Sequence, residues 1–245
     1  MLNKFKADLH IHSCLSPCSD WAMSPKKIIQ QSLDVGLDLI GLCDHNSAEN
    51  AAATMREGQR QGMQVLPGME ICSKEEVHIL ALFDELESAL EMQAYVYANL
   101  PGENKTEVFG FQVIANEHDE VIGENPRLLI GATRLGLHDI VDKTHVLGGI
   151  NISCHVDRPA YGIINQLGFI PADLALDGVE VSRHVKLADA HKTVAGIEKF
   201  SCITNSDAHF LEDIGQVWTV FKMAEPTIAE IRKSLLQQEG RRILV

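Results

Sequence analysis

Asp8-Leu9-His10-Ile11-His12 ends a short apolar run and precedes a loop rich in Cys, Ser and Pro. Side chains alternate along a strand, so two histidines two residues apart share a face. Such a pair can bind one metal ion. It can equally be two surface histidines on an edge strand, and the motif alone does not choose. The same side-chain types recur beside later apolar runs: Asp44 and His45, Glu70, His78, His155, then Asp207 and His209. Imidazole and carboxylate together suit Zn, Mn or Fe. The candidates exceed one tetrahedral site, which implies two or three divalent ions, and a carboxylate such as Glu70 can bridge two of them.

Each residue also has a purely structural explanation. His78 fits a packed core histidine, His45 a ring oriented by Asp44, and Asp207 a helix cap. Any one of these explanations prevails in isolation. All of them together leave the convergence of imidazoles and carboxylates at strand ends unexplained. His118, His138, His145 and His191 fall in a turn or on helices and read as solvated or capping residues.

Short apolar runs alternate with amphipathic stretches, the pattern of repeated β-α units. Ser24-Pro25 opens a helix with Ser as N-cap, and Gly36 ends it. Leu39–Cys43, the run from Val65, Val77–Phe83, Gly149–Cys154, Val179–Ser182, Cys202–Asn205 and Val217–Phe221 read as strands. Helices are expected from Ser47 to Gln61, Asp84 to Asn99, within 126–146, near Tyr161–Leu167, from Asp189 to Lys199 and from Thr227 to Gln238. Phe109–Ala115 and Val121-Ile122 read as a β-hairpin with a charged turn, inside an insertion at about 100–127. One domain over 1–245 follows, an α/β barrel of parallel strands whose strand ends gather on one face, where such barrels carry their sites.

The chain has 245 residues, 45% of them hydrophobic, enough for a full core. Its formal net charge of -13 repels phosphate backbones at long range and argues against binding long duplex nucleic acid. The six cysteines form no CxxC pair, so buried free thiols are expected. Cys14 and Cys18 flank the loop after the histidines, but without a second pair a structural zinc site is weakly supported. No signal segment or membrane span is apparent, which makes a reduced, cytoplasmic setting the expectation.

The ordered series His10-x-His12, Asp44-His45-Asn46, Gly68-x-Glu70, His155 and Asn205-Ser206-Asp207-Ala208-His209 resembles the motifs of the PHP (polymerase and histidinol phosphatase) family over nearly the whole chain. The resemblance implies a distorted (β/α)7 barrel with a three-metal site. It implies that His10, His12, Glu70 and Asp207 hold the first ion and that Glu70, His78 and His155 hold the second. It assigns His45 and His209 to the third. The family draws a further ligand from an SDG sequence after HxH. Here the chain reads Ser16-Pro17-Cys18-Ser19-Asp20-Trp21, and Asp20 is the candidate.

The implied chemistry is metal-assisted hydrolysis of a phosphate ester, with a hydroxide bridging two ions as nucleophile. Arg158 is expected to hold a phosphate oxygen, with Asp157 as its orienting partner. Arg183 and His184 are candidates for binding substrate or protonating the leaving group; surface ion pairing and helix entry are their alternatives. The expected partner is a small phosphate monoester, a nucleotide or the end of a short oligonucleotide, with no membrane. Two other classes stay open. One is a non-catalytic metal-binding or partner-binding barrel. The other is an amidohydrolase-like enzyme, whose bridging carbamylated Lys has no counterpart here beyond the nearby Lys74 and Lys186.

Overall fold

The computed structural model describes residues 1–244. The first half of the chain runs β1 (Asn3–Ile11), α1 (Pro25–Asp34), β2 (Leu39–Leu42), α2 (Ala51–Gln61), β3 (Gln64–Cys72), β4 (His78–Leu82) and α3 (Leu86–Asn99). A short helix α4 (Thr106–Phe109) and the hairpin strands β5 (Val113–Ala115) and β6 (Val121–Glu124) follow. The second half contains α5 (Leu137–Val146), β7 (Ile150–Ser153), α6 (Ile163–Leu167), β8 (Gly178–Val181), α7 (Ala190–Thr193) and β9 (Cys202–Thr204). It closes with β10 (Thr219–Met223), α8 (Ile228–Leu235) and β11 (Arg242–Leu244).

The main sheet has the order β11-β10-β1-β2-β3-β4-β7-β8-β9. Its open seam is nearly shut by a parallel bridge between Ile11 and Ala208, where His12 N–H donates to Ala208 O at 3.0 Å. The seven strands from β1 to β9 in that order thus form a barrel, and β10 and β11 extend from its edge. Alternate strand residues feed two cores. Leu9, Leu39, Leu66, Leu80, Leu82, Ile150 and Ile152 fill the inside. Ile40, Leu42, Met69, Ile71, Ile79 and Ala81 pack outward against α1 and α3 through Ile28, Ile29, Ala89 and Met92. Gly41 is required on the inside: a Cβ there would lie 2.5 Å from Leu9 O.

The all-parallel barrel expected from the sequence needs one correction. β4 runs antiparallel to both β3 and β7. Only Ser73–Val77 separate β3 from β4, too few residues for a parallel crossover. The reversal matters for the site. A parallel strand delivers its last residues to the barrel mouth, and an antiparallel one delivers its first. His78 opens β4 and pairs with Cys72 at the end of β3.

The helices are shorter than the sequence pattern suggests. In 126–146 only α5 forms; the preceding stretch is held irregular by Asn46, whose Nδ2 donates to Leu129 O and Gly131 O at 2.7 and 2.8 Å. Ser24 sits at the N-cap position of α1 but makes no capping hydrogen bond. The expected hairpin is present as β5 and β6, preceded by α4. It braces the loop after the HxH motif: Val113 N–H donates to Cys14 O at 3.0 Å, and Asn50 ties both segments to α2.

Candidate metal centre

A β-bulge in β1 between Asp8 and Ile11 adds one residue opposite β2. Leu9 therefore packs in the inner core while His10 and His12 both reach the barrel mouth, their Nε2 atoms 3.1 Å apart. Glu70, in β3, stands between five imidazoles. Its Oε1 lies 2.7 Å from His78 Nδ1, 3.2 Å from His155 Nε2 and 3.5 Å from His10 Nε2. Its Oε2 lies 3.0 Å from His45 Nδ1 and 3.4 Å from His12 Nε2. Asp207 Oδ1 approaches His10 and His12 from the far side, at 3.4 and 3.2 Å.

The ligand atoms fall into overlapping groups, each compact enough for one ion. They are His10, His12, Glu70 and Asp207; His45, Glu70 and His78; Glu70, Cys154 and His155; and His12, His45 and His209. Glu70 joins three of them, as a bridging carboxylate would. Two buried atoms in this cluster, His155 Nδ1 and Asp207 Oδ1, have no hydrogen-bond partner. A cation held between these groups would give such buried polar atoms a partner. These clusters can hold divalent metal.

Neighbouring groups set the ring tautomers. His10 Nδ1–H donates to the Glu180 carboxylate at 3.0 Å. His209 Nδ1–H donates to Asp207 O at 2.9 Å. Ser16 Oγ gives its proton to Asp44 and lies 3.0 Å from His12 Nδ1, which must then be the donor. In all three rings the Nε2 lone pair faces the cluster. Backbone geometry is costly here too. His155, Asp207 and Asn46 adopt positive φ of 29°, 51° and 51°, conformations that persist only where surrounding contacts enforce them.

Electrostatics among the cluster's own side chains follow from burial and proximity. Burial alone would raise the Glu70 carboxyl, but His78, His10 and His45 hold it well below the usual range. Burial disfavours charge on His12 and His45 as well. Their acidic neighbours outweigh it, chiefly Asp207 and Glu70 for His12 and Glu70 for His45, and lift each to about 9. His78 and His209, buried among other rings, fall to about 4 and about 3. Protons are thus held on the rings beside the carboxylates and shed from His78 and His209, and a metal bound here would have to displace them.

A family model for the PHP domain matches residues 8–146, and a PHP-associated model matches residues 189–239. The chain belongs to the PHP domain family. A phosphoribosyl 1,2-cyclic phosphate 1,2-diphosphodiesterase of Eggerthella lenta is 30% identical over 80 residues, 31% of this chain and 29% of that protein. Among solved structures, a lesion-specific endonuclease of Pyrococcus furiosus superposes with a TM-score of 0.72 at 20% identity, covering 99% of this chain and 58% of that one. Endonuclease Q in complex with a 27-mer duplex carrying an abasic lesion gives a TM-score of 0.71 at 20% identity, over 98% of this chain and 58% of that one. The matched stretch is thus under a third of the curated relative's length.

Within this PHP domain, most residues singled out from the sequence meet at one mouth. His45, Glu70, His78, His155, Arg158, Asp207 and His209 line a cavity of about 420 Å³, closed on one side by Tyr161, whose ring stacks on His78 at 4.3 Å. Asp20 is not brought in: its side chain is exposed and Oδ1 accepts the Ala22 N–H at 2.7 Å. Arg183 pairs with Asp213 at 2.7 Å, and His184 is exposed; neither lines the cavity. Asp157 does not orient Arg158. It accepts from Ser182 N–H and Oγ, and Arg158 pairs with Asp207 instead.

Two supporting residues, Glu180 and Tyr161, escaped the sequence reading, and a third, Asp44, was singled out there but takes a different part. Glu180 binds His10, Asn205 Nδ2 at 2.7 Å and the His155 N–H at 3.2 Å. Asp44 anchors the loop after HxH through Ser13 and Ser16 rather than steering the His45 ring. Tyr161 was seen only as the start of a helix. Glu180 had a visible signal: it is the one charge in a strand buried at every position.

Proposed function

We propose that this PHP domain is a metal-dependent phosphoesterase acting on a small phosphate monoester or on a nucleotide or short oligonucleotide phosphate. The observation that carries the reading is Glu70, whose two carboxylate oxygens are shared among five imidazoles. That arrangement supports a multinuclear site with His10, His12, Glu70 and Asp207 around one ion, Glu70, His78 and His155 around a second, and His45 and His209 at a third. The ions would be Zn, Mn or Fe, given the mixed imidazole and carboxylate donors. Bound there, they would supply Lewis acidity toward phosphoryl oxygen and acidify water.

The chain's own residues supply the rest. Arg158 lines the cavity beside Asp207 and presents a fixed guanidinium to a non-bridging phosphoryl oxygen. Tyr161 and Pro159 give the cavity an apolar wall that excludes water from one side of the bound ester. Arg183 and His184 lie outside the cavity, so a direct role for either would need substrate that extends beyond it.

The resemblance to a cyclic phosphate diesterase favours a small phosphorylated substrate. The likeness of fold to endonuclease Q bound to a duplex means that the charge of -13 does not remove duplex nucleic acid from consideration. Among the described residues no lysine lines the cavity, and Lys74 is exposed beside Glu75, which weighs against an amidohydrolase with a carbamylated bridge. The test is metal content by elemental analysis, then phosphate release from an aryl phosphate with Mn, Zn or Fe. A panel of mononucleotides, sugar phosphates, oligonucleotide ends and lesion-bearing duplex follows. Two or three ions per chain, with hydrolysis that His12→Ala abolishes, is the expected result. A metal-loaded protein inert to the whole panel would overturn the reading.

A further inference from the structure

Arg183 stands outside the cavity, yet the fold carries it to the same mouth. β7, β8 and β9 are neighbours and run parallel, so their C-terminal ends open side by side. The loop after β7 supplies His155 and Arg158 to the cavity, and the loop after β9 supplies Asp207 and His209. The loop after β8 lies between these two and is tied to both. Ser182 N–H and Oγ donate to Asp157, the neighbour of Arg158, at 2.7 and 2.6 Å. Arg183 Nη1 donates to Asp213 Oδ1 at 2.7 Å and to Gln216 Oε1 at 3.3 Å. Asp213 N–H in turn donates to Phe210 O at 3.0 Å, and Phe210 directly follows His209.

Arg158 and Arg183 are held alike. Each is anchored through Nη1 on one carboxylate, Asp207 or Asp213, with its side chain 34% and 33% exposed respectively. Among the described residues, Nε and Nη2 of either arginine meet no partner. A guanidinium fixed on one side and open on the other is set to grip a phosphate oxygen. The chain's net charge is -13, so two arginines at one mouth are not the by-product of a basic surface. Beside Arg183, Phe210 leaves 46% of its surface in solvent, and an exposed ring offers a face to a planar base. A lone phosphate in the metal cavity needs neither group.

We propose that Arg183 and Phe210 form a second subsite on a nucleotide chain whose first phosphate lies at the metal centre beside Arg158. Arg183 takes the next phosphate along the chain, and Phe210 stacks on the base that follows it. The inference rests on the phosphoesterase reading above and narrows it: two successive phosphates are preferred to one. No bond is made or broken at this subsite. It holds the chain so that the first phosphate sits in the cavity, and it sets specificity.

Binding is measured without turnover. The full chain, loaded with Mn, is titrated with phosphonate analogues in which methylene groups replace the bridging ester oxygens. Thymidine 5′-phosphonate carries one phosphoryl group, the matching dinucleotide carries two, and a third ligand is that dinucleotide without its second base. Wild type is expected to bind the dinucleotide about 10-fold or more tighter than the mononucleotide, the worth of a charge-assisted contact. Arg183→Ala should remove most of that gain, and Arg183→Lys should restore part of it. Phe210→Ala should weaken the dinucleotide by about 10-fold and leave it no tighter than its abasic form. Arg56→Ala takes an arginine from the exposed pair with Glu117, tests net charge alone, and should keep the gain. A gain that survives Arg183→Ala, that is lost equally in Arg56→Ala, or that Phe210→Ala leaves intact overturns the subsite. So does wild type that binds one phosphoryl group as tightly as two, in which case the phosphoesterase reading stands. Metal-loaded protein that binds none of the three ligands would overturn both.

Discussion

Arg158 Nη1 donates to Asp207 Oδ2 at 2.5 Å, while the other oxygen of the same carboxylate is buried without a partner. One face of Asp207 is thus neutralised and positioned by the arginine, and the other is turned to His10 and His12. The arginine can hold the carboxylate and still present its remaining N–H groups to the cavity. Arg158→Ala is expected to lower kcat/KM on an aryl phosphate by about 100-fold, the loss typical of one transition-state donor. Arg158→Lys should recover only part, because an ammonium cannot serve both partners in a planar fork. Equal kinetics for wild type and Arg158→Ala would remove the residue from the chemistry.

Glu180 works one step back from the candidate ligands. It fixes the His10 ring, orients Asn205, and through Asn205 Oδ1 reaches the Leu9 N–H at 2.8 Å. Glu180→Gln preserves the shape but removes the charge that makes His10 a stronger donor. Metal affinity is expected to fall by roughly 10- to 100-fold, as for other partners of ligating histidines. Competition with a chromogenic chelator measures this. Unchanged affinity would reduce Glu180 to a packing role.

Much of the site was readable because its chemistry is local. His10 and His12 share a face by strand periodicity alone, and Asp44-His45 and Asp207–His209 follow apolar runs that had to be strands. What was not readable depends on partners far along the chain. Glu180 meets His10 across 170 residues, and no spacing reports that. The antiparallel course of β4 was legible in principle from the five residues between Cys72 and His78, since a parallel return needs a longer crossover. The Asp20 expectation weighed residue type over turn geometry. Two backbone bonds, Ser19 N–H to Ser16 O and Asp20 N–H to His209 O, set the turn that leaves the Asp20 carboxylate in solvent, and those are invisible in the sequence.

The metal-free cluster should make stability depend on pH in both directions. His12 and His45 rise from an ordinary 6.5 to about 9 in the folded chain. Their contribution is therefore complete below 6.5 and is lost as pH rises through 9. His78 and His209 fall from 6.5 to about 4 and about 3, so lowering the pH below 6.5 protonates the unfolded chain first and costs stability. Asp8, which burial raises to about 6, softens the acid side. After chelation, the melting temperature is expected to peak near pH 6.5. Restoring metal should remove most of the decline between 6.5 and 9, because ligated rings no longer carry the proton. A chelated protein whose Tm keeps rising to pH 9 contradicts this account.

A second acid-sensitive contact lies at the far side of the fold. Asp177 accepts from His145 at 2.8 Å, from Asn151 N–H at 2.8 Å and from Arg232 Nε at 2.9 Å, while Arg232 also donates to Gly149 O. This carboxylate pins α8, and the C-terminal segment it belongs to, against β7. Burial would raise the Asp177 carboxyl, but His145, the Asn151 N–H and Arg232 hold it below its ordinary 3.8. The sign follows: its stabilisation is present above 3.8 and disappears as pH falls through the lower folded value. Asp177→Asn keeps an acceptor but loses the charge, and is expected to cost roughly 1–3 kcal/mol at neutral pH. The urea midpoint should drop accordingly, and the gap from wild type should narrow below pH 3.8. A gap that stays constant into strong acid would mean that the substitution acts through packing and not through the charge.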